Sequence, residues 1–271
     1  MRQAGDGQQR LRVQARSEDY ERYALTLFQP AEMQPHLWAL LCFSAEIARI
    51  PEIVSQEMVG LIRLAWWRER LDDAYAGRTP NEHVVVRGLH QWITQMQPPR
   101  EWLDDMITAR QEQLGRTESL SFAEFESFAE MTAGRLAALL SFIALPHRDQ
   151  ASRAIHVGTA YGMLGLVRAA PFELSQGRLL LPELAGLLEV DTARLHHEAQ
   201  AVVRVIRQQA EEKLSGEGAA LSPITYLHRE LARWWAAKLA RCDNNFLNHK
   251  LQKPIGFLTI RLLMAAMLRK S

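Results

Sequence analysis

Residues 158–182 read GTAYGMLGLVRAAPFELSQGRLLLP. Gly158, Gly162 and Gly165 are spaced four and three apart, so on a helix they share one face. Glycine costs up to about 1 kcal/mol at each helix-interior position relative to alanine, so three on one face call for an offset. The spacing leaves two readings open: close approach of another helix, or a wall that leaves room for a bulky apolar ligand. Arg168, Ala169, Ala170 and Pro171 follow, and the acids begin only at Glu173. A segment built to line a cavity here offers little to a metal ion.

On either side of this segment the apolar residues keep a helical period, and no stretch alternates strictly enough for a strand. Ser17 is expected to cap a helix reaching Phe28, and Pro30 to head a second one that Pro51 breaks near Ile50. A long helix is expected from about Ser55 to Tyr75, stopped by Gly77, with Gly115 ending another. Ser121 and Glu124 form a capping box for a helix to about Leu145. The opening segment is expected to stop near Arg168, because Pro171 cannot continue it. Asp191 is expected to cap a helix to Leu214, Ser222-Pro223 to start the next, and Pro254 to open the last. The expected fold is all-α, a single-domain bundle of about ten helices over 17–271, behind a flexible Arg- and Gln-rich tail at 1–16.

With 271 residues, 48% of them apolar, the chain can bury a sizeable core. A formal net charge of +1 gives no overall field for nucleic acid. MRQAGDGQQRLRVQAR lacks the apolar run of a secretory signal, and no transmembrane helix is expected. Cys42 and Cys242 have no metal-site spacing and read as buried free thiols in a reducing compartment.

Nucleophile-elbow, phosphate-loop, dinucleotide and zinc-protease motifs are absent. His196 and His197 are adjacent, point to different helix faces and read as solvated. Asp72-Asp73 and Asp104-Asp105 would need i, i+3 or i, i+4 carboxylates to grip one ion. Instead Arg68 stands four residues before Asp72 and Arg100 four before Asp104, so both pairs read as ion-paired helix faces. One tryptophan in each of the pairs Trp66-Trp67 and Trp234-Trp235 is expected to bury. FLTIRLLMAAML at 257–268 is apolar nearly all round and precedes Arg269-Lys270. It fits a core helix or a segment resting on an anionic surface, and its narrow polar face favours the core.

With these residues in place, the chain resembles the squalene/phytoene synthase family from about Tyr20 to at least Val190. Tyr23, Pro30 and Phe43 match the family's aromatic-rich opening, LAWWRERLDDAYAGR its tryptophan/acid helix, and AYGMLGLVRAAPFELSQGRLLLP its second acidic block without a gap. The resemblance implies the all-α isoprenoid-synthase fold. It also implies two acid clusters that hold Mg²⁺ to ionise prenyl diphosphates, and here this sequence departs. The first motif falls on Ala48, Arg49 and Glu52 with Pro51 interposed, the second on Ala169 and Glu173, and the preceding Gln and Asn positions on Gly162 and Gly165. No metal and no cofactor are expected from so depleted a set.

FSAEIARI at 43–50, RLAWWRERLDD at 63–73 and RAAPF at 168–172 are similar to one branch of the family, which contains the assembly factor of mitochondrial respiratory complex I. That resemblance implies a non-catalytic protein whose partners are respiratory-complex subunits or other assembly factors. It further implies an isoprenoid or lipid ligand held by Tyr23, Arg168 and Arg178 against a cavity wall of Gly158, Tyr161, Gly162 and Gly165. The implied place is cytoplasmic, in peripheral contact with the inner membrane, on the matrix side in a eukaryote. The alternative is a head-to-head prenyl diphosphate transferase. In it Glu52 and Glu173 hold a single Mg²⁺, and Arg49, Arg168 and Arg178 clamp the anion.

Overall fold

The computed structural model describes residues 2–78, 83–116, 119–176, 180–184, 192–215 and 221–269. Among them are helices and turns and no strand. They fall into two compact units, each gathered from separate stretches of chain.

The first unit holds α1 (Arg2–Glu18), α2 (Tyr20–Thr26), α3 (Gln34–Ile53), α4 (Glu57–Tyr75), α5 (Val84–Met96) and α6 (Arg100–Gln113). Every residue of α3 from Leu37 to Phe43 is buried. A helix apolar on all sides must be surrounded, and α1, α2, α4, α5, α6 and a later helix of the same unit (Arg135–Ala144) pack around it. Gly88 makes one of these approaches close: a Cβ there would lie 2.6 Å from the Ala39 Cβ and 3.0 Å from Leu11. Cys42 sits in this packing, and burial pushes its thiol up to about 12.

The stretch expected as a flexible tail is instead part of α1, which carries Leu11 and Ala15 buried one turn apart. Its mean composition is polar, but that i, i+4 pair is enough to seat it. Ser17 therefore lies in α1's last turn, donating to the Gln14 carbonyl, and Asp19 caps α2 by accepting from the Arg22 N–H.

The second unit holds α7 (Phe122–Ala129), a π segment (Glu130–Gly134), α10 (Thr192–Leu214), α12 (His249–Gln252) and α13 (Leu258–Leu268). Helix α8 (Arg135–Ala144) belongs to the first unit, while α9 (Arg148–Ser175) and α11 (Pro223–Arg241) run mostly in the second. The Ser121–Glu124 capping box forms as expected. Gly77 and Gly115 stop α4 and α6 at positive φ, +66° and +69°. Ser222 accepts from the Thr225 N–H at the head of α11. The expected Asp191 cap lies outside the described residues. Phe122–Ala144 is long and apolar enough for a membrane span, yet Leu136–Ile143 are buried.

Four expected boundaries move. Pro30 lies in the turn before α3, with Pro35 in α3's first turn, and α3 continues through Pro51 to Ile53. Helix α9 likewise continues through Pro171 to Ser175. A proline deletes one N–H and crowds the carbonyl four residues back. Near a C-terminus that disruption is confined to the last turn or two. Pro254 precedes α13 in a turn rather than opening it. Helix α13 also departs from the expected core packing: only Leu258, Leu262 and Ala265 are buried.

Replacing Leu11 by Ala removes a buried side chain from α1 and is expected to destabilise the protein by about 2–5 kcal/mol. Exposed Val13→Ala should change little, and paired thermal melts of the two variants check that α1 is docked.

Candidate functional site

Each unit carries one group of the residues singled out above. In the first unit, α3 carries Ala48, Arg49 and Glu52 on its last two turns, with Arg49 and Glu52 exposed. The Arg49 guanidinium is bound to the Glu18 carboxylate at the end of α1. Glu18 raises Arg49 further above its ordinary value, with Glu52 and Glu46 contributing less. Beside it lies a cleft of about 410 Å³ lined by Glu46, Arg49, Ile50, Ile53, Ile62, Arg63, Trp66 and Trp67.

Tyr23 is buried on α2, and its hydroxyl accepts a 3.1 Å hydrogen bond from Arg12 Nε. Gln14 Nε2 donates to Glu46 at 2.9 Å. Three side chains of α1 thus reach residues of α2 and α3: Arg12 to Tyr23, Gln14 to Glu46, Glu18 to Arg49. Sequence reasoning missed all three contacts: Arg12 and Gln14 fall in the stretch expected to be a tail, and Glu18 lies 31 residues from Arg49. The signal that could have found them is the Leu11/Ala15 period, which fixes the face that α1 turns inward.

Both aspartate pairs are ion-paired, as expected, though not with every expected partner. Asp72 meets Arg100 at 2.8 Å, and Arg100 also holds Asp104 at 3.0 Å. Arg68 instead donates to Thr108 and Gln111. Asp73 is held by Arg70 and Arg78, and Asp105 by Arg135 at 2.8 Å.

In the second unit, α9 carries Gly158, Tyr161, Gly162, Gly165, Arg168, Ala169 and Glu173. Of the two readings of the glycines, close approach of another segment holds at Gly162. A Cβ on Gly162 would stand 2.6 Å from the Ala133 Cβ, so this glycine lets the π segment approach α9. Gly134 does the same from the facing side, where a Cβ would meet Thr159 Oγ1 at 2.7 Å. A Cβ on Gly165 would meet nothing within 4 Å, so that position faces open space. Gly158 is buried.

The Arg168 guanidinium stacks 3.8 Å from the Trp235 ring centroid and 5.7 Å from that of Tyr161. Lys238 Nζ lies 4.5 Å from the Trp235 ring, and the Tyr161 and His228 rings are 4.8 Å apart. Gln252 Nε2 donates to the Arg168 carbonyl at 3.2 Å. Ala169 is exposed and Glu173 buried. Arg178 lies outside the described residues. His228, Trp235 and Lys238 were not expected here. They come from α11, which nothing in the α9 segment foreshadows.

A magnesium cluster needs convergent oxygen ligands. Ala48 and Ala169 supply none, and Arg49 supplies a positive charge that already engages Glu18. Among the described residues no three His, Cys, Asp or Glu side chains are placed to hold a metal. The described side chains at these motif positions do not fit Mg²⁺.

The profile of the squalene/phytoene synthase family matches residues 15–247. The chain belongs to that family. Among similar proteins are those named NADH dehydrogenase (ubiquinone) complex I, assembly factor 6. The Bos taurus protein is 31% identical over 188 residues, 68% of this chain and 54% of its own length. The Homo sapiens protein is 29% identical over the same shares. The Drosophila melanogaster homolog is 26% identical over 201 residues, 72% of this chain and 57% of its own. The chain spans about half the length of these curated relatives. Two crystal structures share the fold. One is the squalene synthase from Alicyclobacillus acidocaldarius, with a TM-score of 0.71 and 17% identity, covering 89% of this chain and 95% of that one. The other is a dehydrosqualene synthase in complex with ligand, with a TM-score of 0.80 and 14% identity, covering 100% and 99%. The family's helical fold, expected from the resemblance, is therefore present.

The two glycines give opposite expectations. Gly162→Ala forces Cβ against Ala133 and is expected to cost about 1–3 kcal/mol. Gly165→Ala enters open space in a helix and is expected to be neutral or to stabilise by up to about 1 kcal/mol. Denaturant titrations of both variants check the pair.

Proposed function

We propose that the chain is a non-catalytic member of its family that has lost the magnesium-binding aspartates and acts in the assembly of respiratory complex I. One observation carries the reading: at the position of the family's first acidic motif stands Arg49, its charge spent on Glu18. Ionising a prenyl diphosphate sends several negative charges out of a low-dielectric site, and family members are understood to use metal-held oxygens for this. An arginine that already has a carboxylate partner neither recruits the ion nor offers a spare charge in its place. The names of the relatives support the assembly role, which comes to this chain from proteins twice its matched length. On the same reading, the partners are complex I subunits or other assembly factors. The place of action is the matrix side of the inner membrane in a eukaryotic cell, or the cytoplasmic face in a bacterial one.

The purified protein, incubated with Mg²⁺ and farnesyl or geranylgeranyl diphosphate, is expected to release no pyrophosphate and form no condensed product. Affinity purification at native level is expected to recover complex I subunits. Turnover of either donor would overturn the non-catalytic half. Recovery of isoprenoid-pathway enzymes in place of respiratory subunits would overturn the assembly half.

A further inference from the structure

The last helix turns the wrong face outward for a core element. Phe257 is 81% exposed, and Ile260, Leu263, Met264, Met267 and Leu268 are each at least 51% exposed. At 100° per residue these six positions sweep an arc of about 140°. The opposite face, Leu258, Leu262 and Ala265, is buried. Arg261 lies 4.6 Å from the Trp234 ring and Arg269 5.9 Å from that of Tyr226, which fixes α13 beside α11 with its apolar arc facing outward. Phe257 is also held at φ +53°, a left-handed conformation costly for an aromatic residue. It gains no burial within the chain in return.

The C-terminal segment that carries this face has charge of one sign. From Asn244 to Ser271 the sequence contains His249, Lys250, Lys253, Arg261, Arg269 and Lys270 and not one Asp or Glu. His249, Lys250, Lys253 and Arg269 are exposed.

We propose that the outer face of α13 is a docking surface for an anionic lipid bilayer. The occupant follows from both chemistries together. Exposed Phe, Ile, Leu and Met side chains with flanking cations match an acyl-chain boundary beneath negative headgroups. A second copy fits poorly, since a self-complementary contact would set these cations against their own counterparts with no acid on the segment to offset them. At 11 residues α13 is too short to cross a bilayer, which takes about 20. It lies in the interface instead, its apolar arc about 5–10 Å deep. This docking is independent of whether the protein catalyses prenyl transfer.

The test is co-sedimentation of the full chain with large vesicles of phosphatidylcholine containing 30 mol% phosphatidylglycerol, against vesicles of phosphatidylcholine alone. Binding to the anionic vesicles is expected to be at least tenfold tighter, and to weaken in 0.5 M NaCl. The doubly exposed variant Phe257→Ser/Met267→Ser is expected to lose at least tenfold in binding. Lys250→Glu/Lys253→Glu should lose a similar factor while leaving the apolar face intact. All four positions are exposed, so melting temperatures should stay at the wild-type value; if the serine variant melts early, the glutamate variant alone decides. Equal binding to both vesicle types, no binding to either, or full binding by the glutamate variant would overturn the proposal. So would a stable dimer, seen by light scattering, that Phe257→Ser/Met267→Ser dissolves, or a protein partner that occupies α13 and displaces the vesicles.

Discussion

The all-round burial of α3 is the constraint on which the first unit rests. A run with no polar residue from Leu37 to Phe43 has no solvent face to spare, so neighbours must cover each side of it. That requirement explains why a polar-looking segment such as α1 is ordered: Leu11 and Ala15 close the remaining side. It also explains Gly88, where any larger residue would hold α5 away from Ala39 and Leu11. Polar function is thereby confined to the ends of α3, and Ala48, Arg49 and Glu52 all sit at its C-terminal end.

The chemistry at that end follows from what α1 brings to it. An arginine in place of a carboxylate would leave an isolated cation beside an apolar cleft, but Glu18 arrives from α1 to meet it. Tyr23 and Glu46 receive Arg12 and Gln14 from the same helix. All three contacts come from one helix, α1. In the second unit Arg168 stacks on Trp235, one residue before Ala169, where the family's second acidic motif falls.

Most helices were legible because their signals are local. The Ser121–Glu124 box, the Gly77 and Gly115 stops and the Ser222-Pro223 start each depend on a few neighbouring residues. The prolines misled because Pro51 and Pro171 stand in the last turns of α3 and α9, where few helical residues follow them. Pairing across elements was equally hidden. Asp72 has Arg68 at helical spacing, yet binds Arg100 from α6. Arg49 and Glu18 are 31 residues apart, so the altered motif was readable while its compensation was not. Gly162 and Gly165 look alike in sequence, and only the placement of Ala133 tells the packed one from the open one. The outward face of α13 was hidden because a helix apolar nearly all round does not reveal which side the chain leaves uncovered.

The neighbours of α3 also differ in how far along the chain they are recruited. Helices α1 and α2 precede it directly, so their closure involves short loops, whereas α8 joins only after α4 to α7 have been threaded. Loop-closure entropy grows with that separation. The contacts α3 makes with α1, α2 and α4 are therefore cheaper to close than those it makes with α8, and the segment that meets Arg49 belongs to the cheaper set.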